Sequence, residues 1–255
     1  MTELGGDPTF AAWLESLEQR FLADLSFPEV ARALRALSSA YVERRHRLAT
    51  GAALDGAGKR AAFALYYGPL HFLLVDHVVG GLPGSTSPAN ALIDLGCGTG
   101  AAGAAWARRF VRPPAVTGVD RHPWALQEAA RTYRAFEIRA RTDRVDLGTA
   151  PLRGRGCVIA AFAINELPDA ACTRLLPVLL ARAAGGDRIL VVEPLARAVA
   201  PWWDEWRRQV EAIGGRADEH RFRPTLPPLV TKLDHAAGLD HRELTCRTLW
   251  LNLHE

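Results

Sequence analysis

Ala91-Leu92-Ile93-Asp94-Leu95-Gly96-Cys97-Gly98-Thr99-Gly100 decides how the rest of this 255-residue chain is read. An apolar run with one acid reads as a buried strand, and three glycines at alternate positions follow it. Ala101, Ala102, Gly103, Ala104, Ala105, Trp106 and Ala107 then continue with helix-compatible small residues. A strand, a glycine loop and a helix N-terminus bring backbone N–H groups toward a ligand with no side chain in the way. Twenty residues past Gly100, the run Ala115-Val116-Thr117-Gly118-Val119-Asp120 ends in a second carboxylate.

The Asp-x-Gly-x-Gly-x-Gly form, with a strand-end acid after it, resembles motif I and the acidic motif of the class I S-adenosylmethionine-dependent methyltransferases. A rival pattern overlaps it. Gly98-Thr99-Gly100-Ala101-Ala102-Gly103 fits the dinucleotide fingerprint G-x-G-x-x-G, and Asp120 falls near the distance of its ribose acid. Asp94, two residues ahead of the first glycine, favours the methyl donor. So does the position of the loop, behind a long helical segment rather than at the start of a domain.

The resemblance implies roles for individual residues. Gly96, Cys97, Gly98 and Gly100 would wrap the aminoacyl part of S-adenosylmethionine, and Asp94 would hold its amino group. Asp120 would accept both ribose hydroxyls, since a carboxylate offers two acceptor oxygens to two neighbouring donors. Arg121 and His122 would flank the adenine, although His122-Pro123 also reads simply as a helix start. Asp146, or Asp143 in its place, would meet the adenine amino group. Tyr66 and Tyr67 precede Gly68-Pro69 on a segment that closes over the donor in such enzymes, and Tyr67 is the one expected to reach it.

On the acceptor side, Ala160-Ala161-Phe162-Ala163-Ile164-Asn165-Glu166-Leu167-Pro168 follows the fourth predicted strand. The Asn/Asp-Pro-Pro-Tyr/Phe pattern of amino-methylating nucleic-acid enzymes is replaced by Asn-Glu-Leu-Pro. Asn165 would orient an acceptor and Glu166 would take its proton, as the candidate catalytic pair. Helix capping near Pro168 explains the same two residues. Methyl transfer asks mainly for alignment of donor and nucleophile, so a missing base does not exclude activity.

Composition is that of a globular protein, with 49% hydrophobic and 23% charged residues. The net charge is +3 and the pI about 8.8. Lys59 and Lys232 are the only lysines, a bias a GC-rich genome explains without any nucleic-acid role. Cys97, Cys157, Cys172 and Cys246 are scattered, which argues against a metal centre or a disulfide framework. The first nine residues lack the form of a signal peptide. Residues 61–79 are apolar but interrupted by Gly68-Pro69, His71, Asp76 and His77, as in a buried or kinked helix rather than a membrane span. These features predict a cytoplasmic protein with no metal and no membrane partner.

Residues 1–84 read as a helical N-terminal cap. Phe10, Trp13, Leu14, Leu17 and Phe21 draw one apolar stripe, and Val30, Leu34, Leu37 and Tyr41 another. The Gly/Pro/Ser-rich stretch 80–88 reads as a linker. Residues 89–255 alternate strand and helix, which predicts an α/β fold: a Rossmann-like, mostly parallel class I methyltransferase sheet. Strands are expected at 91–95, 115–120, 139–146, 156–163, 188–193 and 243–253, with helices between them. The stretch around Pro224, Pro227 and Pro228 reads as irregular. In the helix from Pro201, Trp202 and Trp206 would face the sheet and Trp203 would point elsewhere.

The whole chain is more faintly similar to the methyltransferase-like proteins of the mitochondrial small ribosomal subunit and their bacterial relatives. Leu-Ser-Ser-Ala-Tyr (37–41), Tyr-Gly-Pro, Asn165-Glu166-Leu167 and Val192-Glu193-Pro194 carry that resemblance. Their C-terminal iron–sulfur cysteines are missing here. Two functions follow: a methyltransferase acting on RNA or a small molecule, or a donor-binding factor for ribosomal RNA with little turnover. In the second, Arg44, Arg45, Arg47, Arg207 and Arg208 would contact phosphates.

Overall fold

The computed structural model describes residues 7–43, 54–196 and 199–254. The chain forms two compact units, Met1–Leu73 with Phe222–Leu244, and Leu74–Arg221 with Thr245–Glu255. The expected division at the 80–88 linker is therefore corrected in two ways. Segment 222–244 joins the N-terminal helices, and the linker belongs to the sheet unit. A single arginine explains the second point. Arg188, 7% exposed, donates to the carbonyls of Gly84 (2.7 Å) and Pro88 (3.1 Å), and Trp106 Nε1 donates to that of Ser85 (2.9 Å).

In the first unit, α1 (Pro8–Phe21) starts at Asp7, whose carboxylate accepts from the amides of Thr9 (2.9 Å) and Phe10 (3.4 Å). Helix α2 (Phe27–Glu43) starts where the Glu29 carboxylate takes the Ser26 amide and hydroxyl at 2.8 and 2.6 Å. Both helices turn the predicted stripes inward: Phe10, Trp13, Leu17, Val30, Leu34 and Leu37 are all buried. Arg44, Arg45 and Arg47 lie outside the described residues.

The apolar stretch forms one continuous helical run: α3 (Ala57–Ala62), a π-helical turn (Phe63–Tyr67) and α4 (Gly68–Gly81). Pro69 sits inside this run because the π-turn precedes it; the Gly68 amide reaches back five residues to Phe63 O. The 25 residues from Ala57 to Gly81 are long and apolar enough to cross a membrane, yet 78% of their most apolar window is buried within the protein.

The sheet unit contains β1 (Ala91–Leu95), α5 (Ala101–Ala107), β2 (Ala115–Asp120), α6 (Pro123–Ala135), β3 (Ala140–Arg144), β4 (Cys157–Ala161), α7 (Asp169–Ala184), β5 (Arg188–Glu193) and α8 (Trp203–Ala212). After it come β6 (Arg216–Phe222), α9 (Pro228–Ala237) and β7 (Leu244–Leu251). The strand order is β3-β2-β1-β4-β5-β7-β6, parallel from β3 to β5, with β7 antiparallel to β5. Chain order reverses between β1 and β4, the switch point at which such sheets open a crevice beyond their strand ends. Strand β6, Arg-Ala-Asp-Glu-His-Arg-Phe, has no counterpart among the strands placed from the sequence; it is polar because it forms the edge.

The tryptophans are also reassigned. Helix α8 begins two residues later than expected, so Trp203 and Trp206 are the buried pair at 5% and 3% exposure, while Trp202 is half-buried. The Arg247 guanidinium lies 4.2 Å from the Trp203 ring centre. Arg207 and Arg208 pair along α8 with Asp204 and Glu205.

Candidate active site

The loop after β1 is held from both sides. Asp94, 1% exposed, accepts from the Gly103 amide at 3.0 Å and the Tyr133 hydroxyl at 2.8 Å. Burial pushes its carboxyl up to about 6 against those bonds. Gly103 lets α5 come that close: a Cβ there would stand 2.3 Å from Asp94 Oδ2. The third glycine of the rival fingerprint thus serves helix–strand packing. Asp94 has protein partners rather than an open face, so it acts from beneath the loop.

Gly96 has φ +67°, and a Cβ on it would lie 2.4 Å from Ala163 Cβ and 2.9 Å from Leu147 Cδ1. The loops after β1, β3 and β4 therefore meet at this glycine. Cys97 is 5% exposed and burial holds its thiol well above the ordinary value, so it packs as a neutral side chain.

Asp120, half-buried at the end of β2, is fixed by two amides. Gly98 N donates to Oδ2 at 3.0 Å and His122 N to Oδ1 at 2.8 Å. Each oxygen keeps a further lone pair. Beside it, His122 precedes α6 and its ring meets the half-buried Trp124 edge-on at 6.3 Å. Trp124 was not singled out in the sequence, although its place two residues after His122 signals it. Arg121 is exposed, with a guanidinium nitrogen 4.0 Å from Glu166.

Val145 N donates to Asp120 O at 3.1 Å, bringing the exposed Asp146 next to this end of β2. One Asp146 oxygen accepts from Gly148 N at 2.9 Å at the head of a short 3-10 turn, Leu147–Thr149. Asp143 lies within β3, half-buried and paired with Arg141 at 3.6 Å.

The segment after β4 begins with Phe162 at φ +56°, a conformation that costs a side-chain-bearing residue energy. A carboxylate from the next strand holds it there. Glu193, fully buried, accepts from Asn165 N (3.2 Å) and Asn165 Nδ2 (2.7 Å). Burial pushes the Glu193 carboxyl up to about 8 against those bonds. Asn165 is thus an anchor of its own loop. It does not cap α7, whose first turn has Pro168 and no side-chain cap. Glu193 had been quoted only as part of Val192-Glu193-Pro194; an acid inside an otherwise apolar strand was the available signal.

Tyr67 belongs to the other unit, where its ring lies 5.9 Å from Phe63 and 6.1 Å from His71. Its neighbour Tyr66 is fully buried in that unit and donates its hydroxyl to Asp234. His241 Nδ1 lies 2.6 Å from that hydroxyl and 2.8 Å from Asp234 Oδ1.

Residues 92–183 match a family model described as a methyltransferase domain. Over those residues the chain is similar to a methyltransferase domain. Among solved structures, an O-methyltransferase of Nostoc punctiforme, itself assigned by inference, is similar with TM-score 0.56 and 14% identity. That likeness covers 86% of this chain and 72% of the other. The mitomycin 7-O-methyltransferase MmcR is similar with TM-score 0.51 and 15% identity, covering 98% of this chain and 78% of the other. At such identities the likeness establishes the methyltransferase fold. No curated protein matches the chain in sequence.

The residues around Asp120 fit the donor of such a domain. The carboxylate is pre-oriented by backbone amides, retains acceptor capacity on both oxygens, and stands at the edge of the glycine loop.

Proposed function

We propose that Asp120 is the ribose acceptor of the methyltransferase domain and that Gly96, Cys97, Gly98 and Gly100 present their backbone to the aminoacyl part of the donor. The observation that carries this reading is the pair of amide bonds aiming both Asp120 oxygens. Arg121 and His122, with Trp124, wall the adenine side. Asp146 has a second carboxylate oxygen for the adenine amino group, and its place beside Asp120 supports that role. Asp94 positions the loop through Gly103 and Tyr133 instead of meeting the donor.

The donor supplies an electrophilic methyl on a sulfonium centre. The chain's part is to align an acceptor, and the approach of Ala163 to Gly96 supports segment 162–168 in that role. In this reading Asn165, tied to Glu193, shapes that segment, and the half-buried Glu166, 4.0 Å from an Arg121 guanidinium nitrogen, takes an acceptor proton. The acceptor is a small molecule or an RNA.

Calorimetric titration with S-adenosylmethionine, S-adenosylhomocysteine and NAD tests the reading. Micromolar binding of a sulfur ligand that Asp120→Ala weakens by more than about tenfold is expected, as for loss of hydrogen bonds to a charged group. Binding of NAD alone, or donor binding indifferent to Asp120→Ala, overturns it. Turnover with RNA and small-molecule panels then identifies the acceptor.

A further inference from the structure

Parallel strands are normally joined by a crossover that contains a helix. In this sheet α5, α6 and α7 serve β1–β2, β2–β3 and β4–β5. The β3–β4 connection, residues 145–156, has only the 3-10 turn Leu147–Thr149 among the described residues. In place of a helix, the extended chain drops Val145, Leu147, Ala150 and Leu152 onto the sheet core. An extended segment is about half as wide as a helix, so a strip of sheet beside it stays uncovered.

That strip carries a cavity of about 230 Å³. Ile93, Thr117 and Arg141 are aligned across β1, β2 and β3 on it, and Val119 is aligned with Asp143. Ile93 and Val119 give it an apolar base, and Thr117, Arg141, Asp143 and Arg153 line it with polar groups. A sheet face made for a packed helix carries apolar residues at such positions. Thr117 and Arg141 instead suit a polar occupant.

The charge identifies its sign. Arg141, Arg153 and Asp143 are the charged residues of the lining, two cations against one acid. Asp143 engages Arg141 at 3.6 Å, while Arg153 is exposed. Guanidinium forks match tetrahedral oxyanions, binding them by paired N–H donors.

We propose that this cavity is a phosphate-binding site, in which Arg141 and Arg153 grip a phosphate and Thr117 offers it a hydroxyl. The phosphate belongs to an RNA backbone or to a free phosphorylated molecule. Asp143 weakens the grip by competing for Arg141. None of its lining residues is among those proposed above to hold the donor.

The test uses the full chain with two probes: a fluorescein-labelled twelve-nucleotide uridine RNA followed by anisotropy, and pyrophosphate followed by calorimetry. Arg153→Glu is expected to weaken the bound probe by more than about tenfold, and Asp143→Asn to tighten it. S-adenosylmethionine affinity stays at the wild-type value in Arg153→Glu and shows that it is folded, and an unchanged thermal melt shows the same for Asp143→Asn. RNA binding that falls steeply with salt and is displaced by pyrophosphate assigns the phosphate to a nucleic-acid backbone. Pyrophosphate binding without RNA binding assigns it to a free molecule. Failure of both probes to bind at low salt, or indifference to Arg153→Glu and Asp143→Asn, overturns the proposal.

Discussion

The Tyr133 hydroxyl donates to the Asp94 carboxylate at 2.8 Å, linking α6 to β1 across 39 positions of chain. Asp94 also holds the Gly103 amide, so strand, glycine loop and two helices share one buried carboxylate. Tyr133→Phe removes a donor to a buried acid and is expected to cost about 1.5–3 kcal/mol, measured by urea denaturation. Unchanged stability would mean that the pair does not hold the loop.

The same carboxylate has a pH signature. Its value rises from 3.8 to about 6 on folding, because burial opposes the charge. Its contribution to stability is thus fully present below about pH 4 and is lost as pH rises through 6, roughly 3 kcal/mol in all. Asp94→Asn should flatten the stability–pH curve in that window. A slope that persists in the variant assigns the titration to another group.

Glu193 gives a second, higher window. Its value rises from 4.5 to about 8, again through burial. Its stabilising contribution is present below about pH 4.5 and disappears through pH 8. The two Asn165 donors meet different Glu193 oxygens, so Glu193→Gln keeps an acceptor for one of them and should lose less than Glu193→Ala near pH 8. Glu193→Ala leaves those donors unmatched and should lose about 2–4 kcal/mol. Equal loss in both variants, read by thermal melting, would show that shape rather than hydrogen bonding holds the 162–168 loop.

Gly96→Ala places a Cβ at 2.4 Å from Ala163 Cβ on a backbone with φ +67°. The combined clash and strain are expected to cost about 2–4 kcal/mol and to weaken donor binding. Adding Ala163→Gly should recover the steric part and leave the strain. Denaturation of the single and double variants separates the two; no recovery would put the whole cost in the backbone.

In the helical unit, Tyr66→Phe removes the hydroxyl shared by Asp234 and His241. Burial raises the Asp234 carboxyl, but the bonds from Tyr66 and His241 outweigh it, and its value falls below the ordinary 3.8. A lowered value contributes stability above about pH 4 that is lost as pH falls through the folded value. The variant should be about 1–2 kcal/mol less stable at neutral pH and less sensitive to acid. Melting curves at pH 7 and pH 3 decide; equal loss at both would leave the carboxylate out of the effect.

The sheet was legible wherever both faces of a strand are buried. β1, β2 and β5 keep the limits expected of them, since Ala91–Leu95, Ala115–Asp120 and Arg188–Glu193 are bounded by glycine, proline or acid. β6 escaped because an edge strand has a water-facing side and needs no apolar run. The roles within the candidate site were less legible. Asn165 and Glu193 are 28 positions apart and Asp94 and Tyr133 are 39 apart, and neither spacing leaves a local pattern. A helix phase set two residues early was enough to leave Trp203 out of the buried set, while Trp202 packs on the same core as expected.

Arg188 separates drift from necessity among the cations. Of 31 lysine and arginine residues only Lys59 and Lys232 are lysine, a ratio that nucleotide composition alone can produce. At most surface positions a lysine would serve as well. A planar fork that reaches the carbonyls of Gly84 and Pro88 together has no equivalent in a compact ammonium. Arg182, spanning the carbonyls of Leu152 (2.5 Å) and Gly154 (2.6 Å), is a second such position. Wholesale recoding of this protein toward lysine, as for expression in an unrelated host or for chemical labelling, must therefore spare these two side chains, whatever it does with the others.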